Sequence, residues 1–419
     1  MKPFWKTETW KLENGLTIEW VQLKGFHSHS CYVTIPLGSL FDAELDHMRT
    51  PTGIAHFLEH RLFDTPKGDA LGRFSSLGCD ANAFTTYTFT TYYFDTALSF
   101  MEGIDLLLEM TNHFTFHEKE VEKEKSIILE ERKMVLDRPI HRLQNGLYQN
   151  LFSYPTYQEE IVGSIDDIQN TSWHDLKRVF DYAYDPEKMR LFIFGSLTKE
   201  QQHMLKKISL PSKANRPTCT KEEQSKEEKK EKEQVSDMDI PIPYLAVGKK
   251  CFDLEKKLGI SASKLEALRD VASQMLFSDS SRLMKEMHQE NLLVTSLYGE
   301  ITQIGDAFVL QVLTNSFHEE KMMKKLTDFL EHLEDYIDWK SWNRMVKNCV
   351  GNRILSLQSI SQFGYEYISC RMQNLDLEEV LSSYASLTEE MMRRFLSIWK
   401  EEKIASFVVK HIEKKKKRK

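Results

Sequence analysis

The sequence predicts an α+β protein of two similar domains, each an antiparallel-rich sheet packed by helices, related by duplication and joined by a charged linker. Three observations carry that reading. The chain has 419 residues, 41% of them hydrophobic, more than one ordinary core needs and enough to fill two. Strand-like segments followed by helix-like segments occur in that order twice. Between the two runs lies "SKANRPTCTKEEQSKEEKKEKEQVSDMDIPIP", residues 212–243, crowded with Lys and Glu and lacking an apolar face. The expected organisation is an N-terminal domain at 1–211, a flexible charged linker at 212–240, a homologous C-terminal domain at 241–412 and a basic tail at 413–419.

In the N-terminal half, "GLTIEWVQL" alternates as a strand does and follows Asn14-Gly15, a turn signal. "SCYVTIPLGSL" is the next strand. "GIAHFLEHRLF", residues 53–63, reads as a helix, and "ANAFTTYTFTTYYFDTAL" is dense in strand-forming Thr, Tyr and Phe. "SFMEGIDLLLEMTNHF" has helical apolar spacing at Met101, Ile104 and Leu108, "EKEVEKEKSIILEERKMVLD" is a second long helix, and "MRLFIFGSL" is a closing strand. The C-terminal half repeats the order faintly. "KLEALRDVASQMLFSDSSRLMKEMHQ" is helical, "LLVTSLYGEI" and "AFVLQVLTNS" pair around Gly305-Asp306, and "EEKMMKKLTDFLEHLEDY" and "SWNRMVKNCVGNRILSLQSI" are helical.

Composition removes several function classes. The net charge of −7 disfavours nucleic acid as a partner. The first twenty residues hold no apolar signal region, and no apolar run is long enough to span a bilayer. A cytoplasmic protein without stable membrane insertion is expected. Six scattered cysteines form no CxxC pair, which excludes ribbon-type zinc and points to reduced, buried thiols. The terminal "EKKKKRK" reads as a solvated charged end.

The chemistry concentrates in "GIAHFLEHRLF". Residues four apart share one helix face, so His56 and His60 can present imidazoles to a single ion. Glu59 projects beside that face, placed to hold and deprotonate a water. Catalytic zinc takes three protein ligands and keeps one open position. It lowers the pKa of bound water to about 7, and a neighbouring carboxylate then serves as general base. The order His-x-x-Glu-His is the inverzincin one. Two histidines and a glutamate on an otherwise apolar helix would be costly without a partner, and a metal supplies one. The third ligand is open at this point: the acidic helix offers Glu118, Glu120, Glu122, Glu124, Glu130 and Glu131. Glu124 and Glu131, two turns apart, share a face.

Taken in order, "GIAHFLEHRLF", "GCDANAFTTYTFTTYYFD", "EKEKSIILEERKMVLDRP" and "YDPEKMRLFIFGSL" resemble the pitrilysin/insulinase family of zinc metallopeptidases, most nearly its short bacterial YmfH-like branch. These blocks cover most of residues 30–197; after residue 240 only the order of segments is similar. The resemblance implies two pitrilysin-like domains and Zn2+ as cofactor. It implies His56, His60 and Glu131 as ligands, with Glu59 as catalytic base. Glu124 takes a supporting catalytic role, hydrogen-bonding a ligand histidine or tuning the site, while Glu130 points about 100° away. It also implies that the strand at Asn82, Ala83, Phe84 and Thr85 lays an extended peptide across the zinc by edge addition.

One part of the family pattern is missing. An arginine and a tyrosine seven apart, expected from the second domain, fall in register on His288 and Thr295; Arg282 and Tyr298 are near but out of register. The second half also lacks His-x-x-Glu-His. The resemblance then implies a two-chain assembly, with a homologous partner of degenerate zinc motif or a second copy of this chain. The expected function is a zinc-dependent endopeptidase for short or unfolded peptides, such as leader peptides, with zinc-bound water as the nucleophile. The alternative is a non-catalytic scaffold of the same fold.

Overall fold

The computed structural model describes residues 5–23, 25–65, 67–213, 216–220, 235–295 and 297–411. The middle of the expected linker, 221–234, and the basic tail, 413–419, lie outside the described residues. The principal elements of the first half are β1 (Trp5–Lys11), β2 (Thr17–Leu23), β3 (His29–Ile35), α1 (Ile54–Arg61), β4 (Cys79–Thr85) and β5 (Thr90–Thr96). Then come α2 (Phe100–Asn112), α3 (Glu118–Leu136), α4 (Pro139–Leu151) and β6 (Arg190–Gly195). The second half runs β7 (Val235–Met238), β8 (Tyr244–Phe252), α5 (Ala262–Phe277), α6 (Arg282–Gln289), β9 (Tyr298–Ile304) and β10 (Ala307–Asn315). It closes with α7 (Glu319–Glu331), α8 (Trp342–Ser356), α9 (Ile360–Met372) and β11 (Ala405–His411).

The elements gather into two compact α+β units. In the first unit the sheet order is β1-β2-β6-β3-β5-β4, with β2 and β6 parallel and the other neighbours antiparallel. In the second the order is β7-β11-β8-β10-β9, with β7 and β11 parallel and the rest antiparallel. Set aside β1, and one parallel pair followed by three antiparallel pairs occurs in both. Duplication is therefore visible in topology, where residue identities barely carry it.

Neither unit is a contiguous half of the chain, so the expected boundaries at 1–211 and 241–412 are crossed. The described parts of Met1–Arg132, Glu159–Gln224 and Ser356–Asn374 form the first unit. Lys133–Gln158 and Leu375 onward join Ser225–Leu355 in the second. The cause is an uncovered sheet face in each. In the first unit α9 covers it: Phe363 packs on Trp5 and Phe194, and Tyr367 and Arg371 bond the buried Glu19 at 3.2 and 2.8 Å. In the second, α4 lies on β8 and β11, where Asn150 Nδ2 donates to Ser406 O at 2.8 Å. The expected linker is shorter too: Cys219–Thr220 pairs with Glu44–Leu45, and Val235–Met238 is β7.

Other departures have local causes. The helix expected through 264–289 breaks in a serine-rich stretch, where Ser281 caps α6 by accepting from Met284 N at 3.2 Å. The helix expected through 341–360 ends at Ser356, and Ser359 caps a new helix, α9. The strand expected from 292 begins at Tyr298. Strands β8 and β11 carried no clear alternation. All six cysteines are free, and all but Cys219 are buried. No helix among the described residues is long and apolar enough to cross a membrane.

What positions the site is the packing of α1. Gly53 enters the helix at φ 77°, and a Cβ there would fall 2.1 Å from Val162 O. Ile54, Ala55, Phe57 and Leu58 are all buried. A helix of eight residues is held by such burial rather than by propensity.

Candidate metal centre

The imidazoles of His56 and His60 stand 4.5 Å apart, centroid to centroid, on α1. Helix α3 brings Glu131 to them: His56 Nε2 lies 3.6 Å from its Oε1 and His60 Nε2 3.4 Å from its Oε2. One donor atom from each residue lies within 4.8 Å of the other two, the one such cluster found among the described residues. Glu130, its neighbour in sequence, is exposed and outside the cluster.

The donor set fits a zinc ion. The His–Glu separations exceed hydrogen-bonding distance. One donor atom from each residue, all within 4.8 Å of one another, is a set that one tetrahedral ion can draw on. Burial, then the neighbouring His60, pushes the His56 pKa down to about 3, so the imidazole is neutral, the form that ligates. Its Nδ1 is buried and meets no acceptor among the described residues. For His60, burial works downward, but the Glu124 hydrogen bond and the charges of Glu131, Glu124 and Glu59 outweigh it and leave the group above its ordinary value.

Glu124 sits behind this pair. Its Oε1 lies 3.0 Å from His60 Nδ1, and its Oε2 accepts from Arg61 Nη1 at 2.9 Å. It belongs to the buried stripe Val121, Glu124, Ile128 and Arg132 of α3, at helical spacing. Burial pushes its carboxyl up, but the bonds to His60 and Arg61 together hold it below the usual range. Arg61 is a residue the sequence reading passed over. It is buried, and its Nη2 reaches Asp64 at 2.5 Å. The signal was present: an arginine on an otherwise apolar helix needs carboxylate partners.

Glu59 accepts at Oε2 from Thr85 Oγ1, 2.5 Å away. Burial raises its carboxyl pKa, against the Thr85 bond and the charge of His60. Strand β4 is the sheet edge and packs against α1. Asn82 and Ala83 pair with Tyr93 and Tyr92 of β5. The Ala83 N–H donates to Asn82 Oδ1 at 2.8 Å, so it points away from β5. Phe84 lies against Phe89, Tyr93 and Tyr365.

In the second unit the positions His288 and Thr295 offer no arginine–tyrosine pair. Thr295 is held by Asn315 through both its N–H and Oγ1. Arg282 is engaged by Glu286 at 2.6 Å and Asp335 O at 2.8 Å, while Tyr298 stands exposed.

A two-unit α+β fold with His-x-x-Glu-His on one helix and a glutamate from a second is the arrangement to set beside known proteins. Residues 23–164 match the insulinase description (peptidase family M16), and residues 172–349 match the peptidase M16 inactive domain. The chain belongs to this family. It is 26% identical over 391 residues to the zinc protease YmfH of Bacillus subtilis (strain 168), spanning 91% of this chain and 90% of that protein. The zinc protease PqqE of Helicobacter pylori is 24% identical over 68% of this chain and 65% of its own length. Zinc is the metal these relatives are named for. The fold superposes on an M16-like peptidase from Alicyclobacillus acidocaldarius with TM-score 0.84 at 21% identity, covering 98% of this chain and all of that one. A Helicobacter pylori protease structure gives 0.78 at 20% identity, over 97% and 99% of the two chains.

Replacing Glu124 by Gln removes the charge that holds His60 and Arg61. Zinc affinity measured by chelator competition is expected to fall about 10–100-fold. Unchanged affinity would contradict the supporting role.

Proposed function

We propose that this chain is a zinc-dependent endopeptidase for short or unfolded peptides. The observation that carries the reading is the convergence of His56, His60 and Glu131 beside Glu59 and an open strand edge. When bound, zinc polarises a carbonyl and makes water a nucleophile near neutral pH. His56, His60 and Glu131 would hold it. Glu59 takes the proton of the attacking water at Oε1 and passes it to the leaving amine. Its buried setting raises its pKa toward that of a working base. Glu124 and Arg61 fix His60 from behind. Along β4, Ala83 N–H turns from Asn82 Oδ1 to a peptide carbonyl as an extended substrate adds to the edge.

The absent arginine–tyrosine pair supports a two-chain assembly, in which a homologous partner or a second copy supplies substrate contacts. The scaffold alternative is disfavoured by the intact donor set with its base, since a scaffold has no need of either.

The test uses the chain purified from its own host with whatever it binds. Wild type and Glu59→Gln are both expected to carry about one zinc, and only wild type to cleave unstructured peptides, with a loss of roughly 10²–10⁴-fold in the variant. Equal cleavage by both, or a zinc-supplied chain without metal, overturns the reading. Gel filtration with activity in each fraction checks the assembly. Cleavage is expected at a two-chain size, and a fully active monomer contradicts that part.

A further inference from the structure

Glu59 receives one hydrogen bond from the described residues, and it comes from the edge strand. Thr85 Oγ1 donates to its Oε2 at 2.5 Å, while Oε1 takes no donor among the described residues. Below the carboxylate, Tyr92 and Tyr184 are fully buried, and their hydroxyls bond each other at 2.8 Å. Neither tyrosine donates to Glu59 among the described residues.

The Thr85 hydroxyl has little freedom. Its cross-strand partner is Thr90, with the two oxygens 3.2 Å apart. Thr90 is fully buried and gives its single proton to Leu37 O at 2.8 Å. The Thr85 proton is left with a neutral hydroxyl or a carboxylate as acceptor, and the carboxylate is the stronger. Leu37 O therefore anchors a short chain, through Thr90 and Thr85, that ends on the base.

We infer that Thr85 is the positioning residue of the general base: its hydroxyl holds the Glu59 carboxylate by Oε2 and leaves Oε1 for the reacting water. Because Thr85 follows Asn82, Ala83 and Phe84 on the same edge strand, the element that takes the peptide also sets the base. The inference rests on the peptidase reading. An alkyl group of the same shape at position 85 keeps the strand and its packing but frees the carboxylate to swing, and misplacement of a catalytic group by about 1 Å costs as much as 10²-fold in rate.

Thr85→Val in the assembled protein is expected to lose about ten- to a hundredfold in kcat. KM is expected to stay within roughly threefold and zinc content to be unchanged. Thr85→Ser, which keeps the hydroxyl, is expected to return kcat to within roughly threefold of wild type. A second readout needs neither metal nor turnover. In the zinc-free protein, the melting-temperature changes of Thr85→Val and Glu59→Gln are expected to be non-additive, because the two side chains share one bond. Full kcat in Thr85→Val, equal loss in the Val and Ser variants, or additive melting shifts would each overturn the inference. If wild type cleaves, Glu59→Gln does not, and Thr85→Val keeps full kcat, this inference fails alone. If Glu59→Gln cleaves as well as wild type, the peptidase reading itself fails.

Discussion

Glu124 occupies a place in the buried stripe of α3 where an apolar side chain would ordinarily go, and its two oxygens hold His60 and Arg61 of α1. A buried carboxylate is costly unless its lone pairs are filled, and here both oxygens are. The contact ties the C-terminal end of α1 to the first half of α3. It fixes which nitrogen of His60 faces the ligand cluster, and it leaves Glu131, two turns on, at the rim where His56 Nε2 and His60 Nε2 converge. The apolar burial of α1 and the steric fit of Gly53 against Val162 O set the same helix from its other side. Remove the Glu124 contact, and His60 Nδ1 loses its carboxylate partner while Arg61 keeps only Asp64.

The two units show what duplication keeps and what it drops. Strand order and direction are kept, including an edge strand in equivalent position, β4 in one sheet and β9 in the other. The His-x-x-Glu-His motif is absent from the second, and among the described residues no second donor cluster exists. Each sheet is covered by a helix from the other half of the sequence, α9 for the first and α4 for the second.

What the sequence disclosed follows the range of the interactions involved. His56, Glu59 and His60 were legible because one turn of helix brings them together. Glu131 was not separable by spacing from the five other glutamates of its helix; family likeness pointed to it, and the fold places it in the cluster with Glu130 exposed outside. The edge position of β4 was expected from family likeness, and the full sheet order places it there. Strand β8 was hidden because Lys249, 1% exposed and bonded by Nζ to Trp399 O at 2.7 Å, interrupts its apolar alternation. Arg61 was missed because its Glu124 partner lies 63 residues away, and the bond of Thr85 to Glu59 because it spans 26. The helix exchange was missed for the same reason on a larger scale: covering a sheet face is a tertiary demand that no local pattern announces.

The proposed peptidase chemistry requires α1 and α3 to form one three-ligand centre. X-ray absorption at the zinc edge of the stoichiometrically loaded chain tests it most directly. Two imidazoles at about 2.0–2.1 Å, oxygen in the remaining positions and no sulfur are expected. A sulfur scatterer, or an imidazole count other than two, would contradict it.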